Sequence, residues 1–163
     1  MERSIVVAAP IDVAFDRVLG DGLTGFFDRG HRMLPAIVGA LDLVGSGRWG
    51  TTVGRSRRIA LADETSMVET LREVDAPRRA AYTMSDLTGP FALLFRGVLG
   101  EWTFAPATGG TLVTWRWRLQ PRNPIGTLVT PLIASMWQGY AAKALERIQQ
   151  TLGAPDPTTD AVH

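Results

Sequence analysis

Residues 130–152, TPLIASMWQGYAAKALERIQQTL, decide the fold. Ile133, Met136, Trp137, Tyr140, Ala141, Ala144, Ile148 and Leu152 recur at three- and four-residue steps, so they share one face of a helix. Thr130 followed by Pro131 reads as an N-cap and first helical residue, because the hydroxyl accepts an orphan N–H and proline has none to lose. Gly153 suits a left-handed C-terminal residue, and Pro155 cannot continue the helix. At its standard rise this is roughly 33 Å of helix, enough to cross a small domain. The apolar face carries a Trp, a Tyr and a Met, so it needs a broad partner surface. The rest of the chain has to supply that surface.

Working back from the helix, 111–119 is the cleanest alternation: Val113, Trp115, Trp117 and Leu119 on one face, Thr114, Arg116 and Arg118 on the other. It predicts a strand with one buried and one wet face. Before it, strands are expected at 36–44, 51–62, 66–74, 78–85 and 91–104, the last broken near Gly97 or Gly100, with tight turns between them. Short turns make these strands an antiparallel meander. Upstream, SIVVAA (4–9) reads as a strand and IDVAFDRVL (11–19) as a helix with Ile11, Ala14, Phe15 and Val18 on one face. LTGFFDRGHRML (23–34) reads as a second short helix or turn. Residues 154–163 have no apolar period and read as a disordered tail, leaving 1–153 as a single domain. A sheet of this size needs its apolar face covered, and the last helix is the one element long enough.

Composition narrows the function classes. A chain of 163 residues fits one sizeable core, and a net charge of +1 suggests no nucleic-acid partner. There is no cysteine, so disulfides, thiolate nucleophiles and cysteine–zinc sites are excluded. One histidine outside the tail, with no paired-histidine motif, points away from a metal site. The start MERSIVVAAP lacks signal-peptide features, and cytoplasm is the default location. Residues 123–142 carry no charge, but their prolines, glycine and hydroxyl residues make a poor membrane span. Gly45–Gly50, GSGRWG, matches G-x-G-x-x-G, yet the dinucleotide mechanism needs a helix next, and a strand pattern follows. No cofactor is expected.

The order of elements resembles the helix-grip fold of the START-like, Bet v 1-like superfamily, in its polyketide cyclase/dehydrase and lipid-transport branch. The resemblance rests on SIVVAAPIDVAFDRV, on GRSRRIALAD with MVETLREVDAPRRAAYTMS, and on TGPFALL, GEWTF and GGTLVTWRW, spread over about 3 to 152. It implies an α+β fold: a seven-stranded antiparallel sheet wrapped around the C-terminal helix, two short helices after the first strand, and a cavity between sheet and helix. It also implies a small apolar ligand, lipid- or polyketide-like. The activities it covers run from cyclisation and dehydration to carriage, so fold alone does not set function.

Candidate site residues follow. Trp102, Trp115, Trp117, Trp137 and Tyr140, with Phe26, Ile133 and Met136, are expected as ligand-contacting wall, the alternative being core filling. Glu69 sits at a place familiar from the resemblance. It enters the apolar space if Met67 and Leu71 face inward, which would raise its pKa as an acid or base needs. It is a wet strand residue if Val68, Thr70 and Val74 face inward instead. Alternation does not decide between these. Tyr82 is a hydrogen-bond donor to a ligand carbonyl, or packs with its tip in water. Arg57, Arg58 and Arg96 are candidate inward cations, and at most one of the adjacent Arg57 and Arg58 can face in. A buried arginine needs a partner, for which Glu69 is the candidate. His31 could shuttle protons at the cavity mouth. The expected function is enclosure of an apolar molecule. The alternatives are a cofactor-independent cyclase/dehydrase using Glu69, Tyr82, an inward arginine and His31, or an interaction or stress-response domain without a cavity. A homodimer stays open.

Overall fold

The computed structural model describes residues 1–20, 25–27, 30 and 34–153. The elements run β1 (Glu2–Val7), α1 (Ile11–Gly20), β2 (Ile37–Val44), β3 (Ser56–Leu61), β4 (Ser66–Asp75), β5 (Arg79–Ser85), α2 (Gly89–Leu94), β6 (Phe95–Ala107), β7 (Gly110–Pro121) and α3 (Pro124–Gly153). The strands form one seven-stranded antiparallel sheet in the order β1-β7-β6-β5-β4-β3-β2. The meander is therefore as expected, with the first strand returning to pair with the last. This is the helix-grip arrangement.

The alternation along β7 is realised as side chains. Thr111, Val113, Trp115 and Leu119 are buried and Trp117 is half-buried, while Leu112, Arg116, Arg118 and Gln120 face water. Thr114, expected on the wet face, is buried, with its hydroxyl 2.8 Å from that of Ser4 on β1. The outer face carries a ladder of ion pairs, Glu73–Arg79–Glu101–Arg116–Glu2. Such exposed pairs contribute little stability and mark the face as solvated.

Strand β1 spans Glu2–Val7 rather than the expected 4–9, β6 runs on to Ala107, and three boundaries differ more from the sequence expectation. The last helix starts at Pro124 and not at Pro131, so Pro131 lies inside it. Asn123 is the cap that wins: its Oδ1 accepts the Gly126 N–H at 2.9 Å, and Pro124 takes the first helical position. Thr130 instead donates its hydroxyl to the Gly126 carbonyl at 2.8 Å. Residues 91–94, expected as strand, form the end of α2, which Pro90 opens. Strand β3 starts at Ser56 rather than Thr51. The chain before it turns repeatedly, with Gly50 and Gly54 both at φ +86°, a conformation glycine tolerates. At Gly50 a Cβ would also meet the Leu19 Cβ at 2.7 Å. The expected second short helix lies partly outside the described residues. Gly25 and Phe26 are helical within it. The 154–163 tail also lies outside them.

Helix α3 lies over one end of the sheet. It packs along β1 and β7. Its buried face is Ile133, Met136, Trp137, Tyr140, Ala141, Ala144, Leu145 and Ile148. Gln138 and Gln149 donate to the Glu2 and Val6 carbonyls, covering the outer edge of β1. The inner faces of β3 to β5 therefore need other cover. Val18 and Leu19 of α1, Phe27, Leu34–Pro35 and Trp49 supply it, and a hollow remains beneath them.

Candidate functional site

The hollow has a volume of about 80 Å³. It is floored by Arg57, Ile59, Met67, Glu69, Tyr82 and Met84, and bounded by Trp102, Trp115, Trp117 and Tyr140. The register explains the floor. Arg57 stands opposite Glu69 across β3–β4, and Ile59 opposite Met67, so these four share the inner face. Glu69 is thus inward, with Met67 and Leu71, and only 4% exposed.

The two charges meet. Arg57 Nε donates to Glu69 Oε2 at 2.7 Å. The guanidinium also lies over the Trp49 ring, 3.7 Å from its centroid, a cation–π contact in a nearly dry place. Burial pushes the Glu69 carboxyl above its ordinary range, and Arg57 only partly opposes this. The same burial pulls Arg57 down from its ordinary value against the pull of Glu69.

Tyr82 is the second polar group. Its hydroxyl oxygen accepts from Trp115 Nε1 at 2.7 Å and from Trp117 Nε1 at 2.9 Å. With the oxygen so engaged, its own proton has no acceptor among the described residues. Burial, and then the charge of Glu69, push this phenol well above its ordinary pKa, so it stays protonated. Its ring lies against the bare backbone of Gly100, where a Cβ would come within 2.1 Å of the ring. Gly100 is thus a site requirement.

The aromatic wall is a stacked set. Trp102 and Trp115 are parallel at 4.9 Å, and Phe27 meets Trp115 edge-on at 5.2 Å. Phe27 in turn stacks on Tyr140 at 5.8 Å. Beside this hollow lies a second of about 260 Å³, between the β3–β4 turn, α2 and the first half of α3. Leu34, Pro35, Leu61, Met67 and Trp117 border both hollows. Phe91, Leu94, Ile133 and Met136 line only the outer one.

The structure therefore sorts the sequence candidates. Glu69, Tyr82, Trp102, Trp115, Trp117 and Tyr140 come together on the inner hollow, and Ile133 and Met136 on the outer one. Arg58 and Arg96 do not belong: both are exposed, Arg58 because it alternates with the inward Arg57. Trp137 is fully buried and packs on Trp115 at 5.1 Å and Trp117 at 6.0 Å, behind the wall. Phe26 is buried too, but its neighbour Phe27 is the one that lines the hollow. His31 lies outside the described residues. Sequence reasoning missed Trp49, set aside within a glycine-rich turn. The signal was there: a large apolar ring in a loop, six and eight positions before two arginines that both approach it. Among the described residues, no cluster of acids and histidines could hold a metal ion.

The model of the family described as Polyketide cyclase / dehydrase and lipid transport matches residues 1–153. No curated protein matches the sequence. Solved structures do. Ara h 8.0201 has a TM-score of 0.67 at 14% identity, over 93% of this chain and 95% of that one. A protein of Nitrosospira multiformis has a TM-score of 0.65 at 17% identity, over 93% and 94%. The major latex-like protein 151 of Panax ginseng has a TM-score of 0.64 at 14% identity, over 95% and 97%. At such identities the likeness is one of fold.

Proposed function

Because the chain belongs to the polyketide cyclase/dehydrase and lipid-transport family, we propose that it encloses a small apolar molecule with a carbonyl-type head. The head occupies the inner hollow and accepts the Tyr82 hydroxyl proton. The apolar remainder occupies the outer hollow, past Met67 and Leu61. The observation that carries this is Tyr82: two indole N–H groups fill its oxygen and leave its proton as a buried donor without an acceptor among the described residues. A buried donor of that kind favours an acceptor over a hydrocarbon. The sizes agree. About 80 Å³ suits a head group, and the outer 260 Å³ suits a tail.

A second reading is favoured by one further observation: Glu69, held by Arg57, borders the same hollow as Tyr82. In a cyclase/dehydrase reaction, Tyr82 would polarise a ketone while Glu69 takes a proton from the neighbouring carbon. Turnover of a synthetic polyketone, lost in Glu69→Gln while ketone binding survives, would separate catalysis from carriage.

The test of enclosure is tryptophan quenching. A naphthyl methyl ketone and the corresponding ethylnaphthalene are titrated against the protein and Tyr82→Phe. Loss of the donor should weaken the ketone about tenfold and leave the hydrocarbon unchanged. Equal weakening of both would remove Tyr82 from the proposal. Native mass spectrometry of freshly purified protein should show a co-purified apolar molecule.

A further inference from the structure

Helix α3 changes character halfway along. From Lys143 onward its outward residues are ordinary: Lys143, Glu146, Gln149 and Gln150. In its first half no residue is charged, and the outward face is largely apolar, with Thr127 and Ser135 its exposed polar residues. Ile125, Leu128 and Leu132 fall on one face and are 62%, 80% and 58% exposed. Leu93 of α2 is 70% exposed, and the Asn123 amide donates to its carbonyl at 2.9 Å, tying the end of α2 to the start of α3. These four exposed apolar side chains lie on two helices joined at this point, and clustered exposed apolar residues mark interaction sites.

Two further observations say what covers it. The surface adjoins the outer hollow: Leu94 and Phe91 from α2, and Ile133 and Met136 from α3, line that hollow from the same two helices. Arg96 and Arg122 stand at the chain junctions after α2 and before α3, both exposed and neither in an ion pair among the described residues. The positive end of the α3 dipole adds to them. Three exposed acids belong to the far lip of the hollow, Asp63, which lines it, Glu64 and Asp86, and the Asp63 carboxylate is already bonded by the Thr65 N–H and hydroxyl.

We propose that this face docks on an anionic bilayer surface, seating Leu93, Ile125, Leu128 and Leu132 among the acyl chains and Arg96 and Arg122 at the headgroups. Apolar side chains with flanking cations are what an interfacial helix uses. No helix of the described residues is long and apolar enough to cross a membrane, so the helix lies on the surface. A second copy on the same face is the competing occupant, and the experiment below separates the two. Docking here would let a ligand pass from hydrocarbon into the outer hollow without crossing water. That benefit rests on the enclosure reading; docking itself does not.

The experiment is flotation of the purified chain with mixed phosphatidylcholine–phosphatidylglycerol vesicles and with pure phosphatidylcholine vesicles. The chain should float with the mixed vesicles and do so more weakly as salt rises. Leu128→Glu with Leu132→Glu, both at exposed positions, should lower partition by about tenfold or more with melting unchanged. Arg96→Gln with Arg122→Gln should lower partition into mixed vesicles about tenfold and leave the pure vesicles unaffected. The proposal falls if the wild-type chain does not float, or if the double Glu variant floats as before. It falls equally if the wild type elutes as a dimer that the double Glu variant dissociates, since a second copy then owns the face. The ketone titration runs without vesicles, so a failure of enclosure shows separately.

Discussion

Arg57 and Glu69 are the residues whose placement the sequence left most open. Arg57 and Arg58 are chemically identical neighbours, and Met67–Leu71 is apolar on either face, so no pattern within one strand could orient them. The pairing between strands does so: Arg57 faces Glu69 across β3–β4, and only together can both enter an apolar space. The consequence is a pH dependence. The Glu69 carboxyl sits above its ordinary range in the folded protein because burial disfavours its charge. The folded state then binds more protons than the unfolded one, so this residue's contribution is full below about pH 4.3 and is lost as pH rises through the raised value. Arg57→Met removes the one charge that opposes the rise. It should cost about 3 kcal/mol at neutral pH, and much less near about pH 3, where Glu69 is protonated in both states. Urea denaturation across that range checks it. A penalty independent of pH would mean the pair is not buried as a pair.

At the scale of elements, the competing helix starts are instructive. Asn123–Pro124 and Thr130–Pro131 carry the same kind of signal, and the hydrophobic period read from 133 onward favoured the later one. The structure uses the earlier because Asn123 both caps α3 and bonds the Leu93 carbonyl of α2. That contact between elements 30 residues apart is invisible in either segment alone. Asn123→Ala should therefore cost about 1 kcal/mol and Thr130→Val less than about 0.5. Pro131 deprives the Thr127 carbonyl of a helical donor, so Pro131→Ala should stabilise by about 1 kcal/mol or more. Thermal melts of the three variants order these effects, and the reverse order for Asn123 and Thr130 would return the cap to Thr130. The expected strand at 91–104 fails for a related reason. FALLF is a short apolar run, and helix and strand look alike in such a run until Pro90 sets the first turn.

For the molecule as a whole, the hollow exists because α3 covers only the β1–β7 end of the sheet, leaving β3 to β5 to smaller covers. Met67 stands where the inner and outer hollows meet. Met67→Ala should lower stability by about 2 kcal/mol, by urea midpoint, while a long-chain ketone binds at least as tightly. Weaker binding would mean the two hollows are not used together. The meander, the long amphipathic helix and the aromatic stock of the wall were legible from local periodicity, because a strand repeats every two residues and a helix every 3.6 whatever surrounds it. The sequence by itself determined those elements and their order. Only the tertiary structure decided which arginine meets Glu69, which indoles hold Tyr82, and that Trp49 closes the top. Each of these is a contact between segments far apart in the chain, set by register and by the angle of one helix on the sheet.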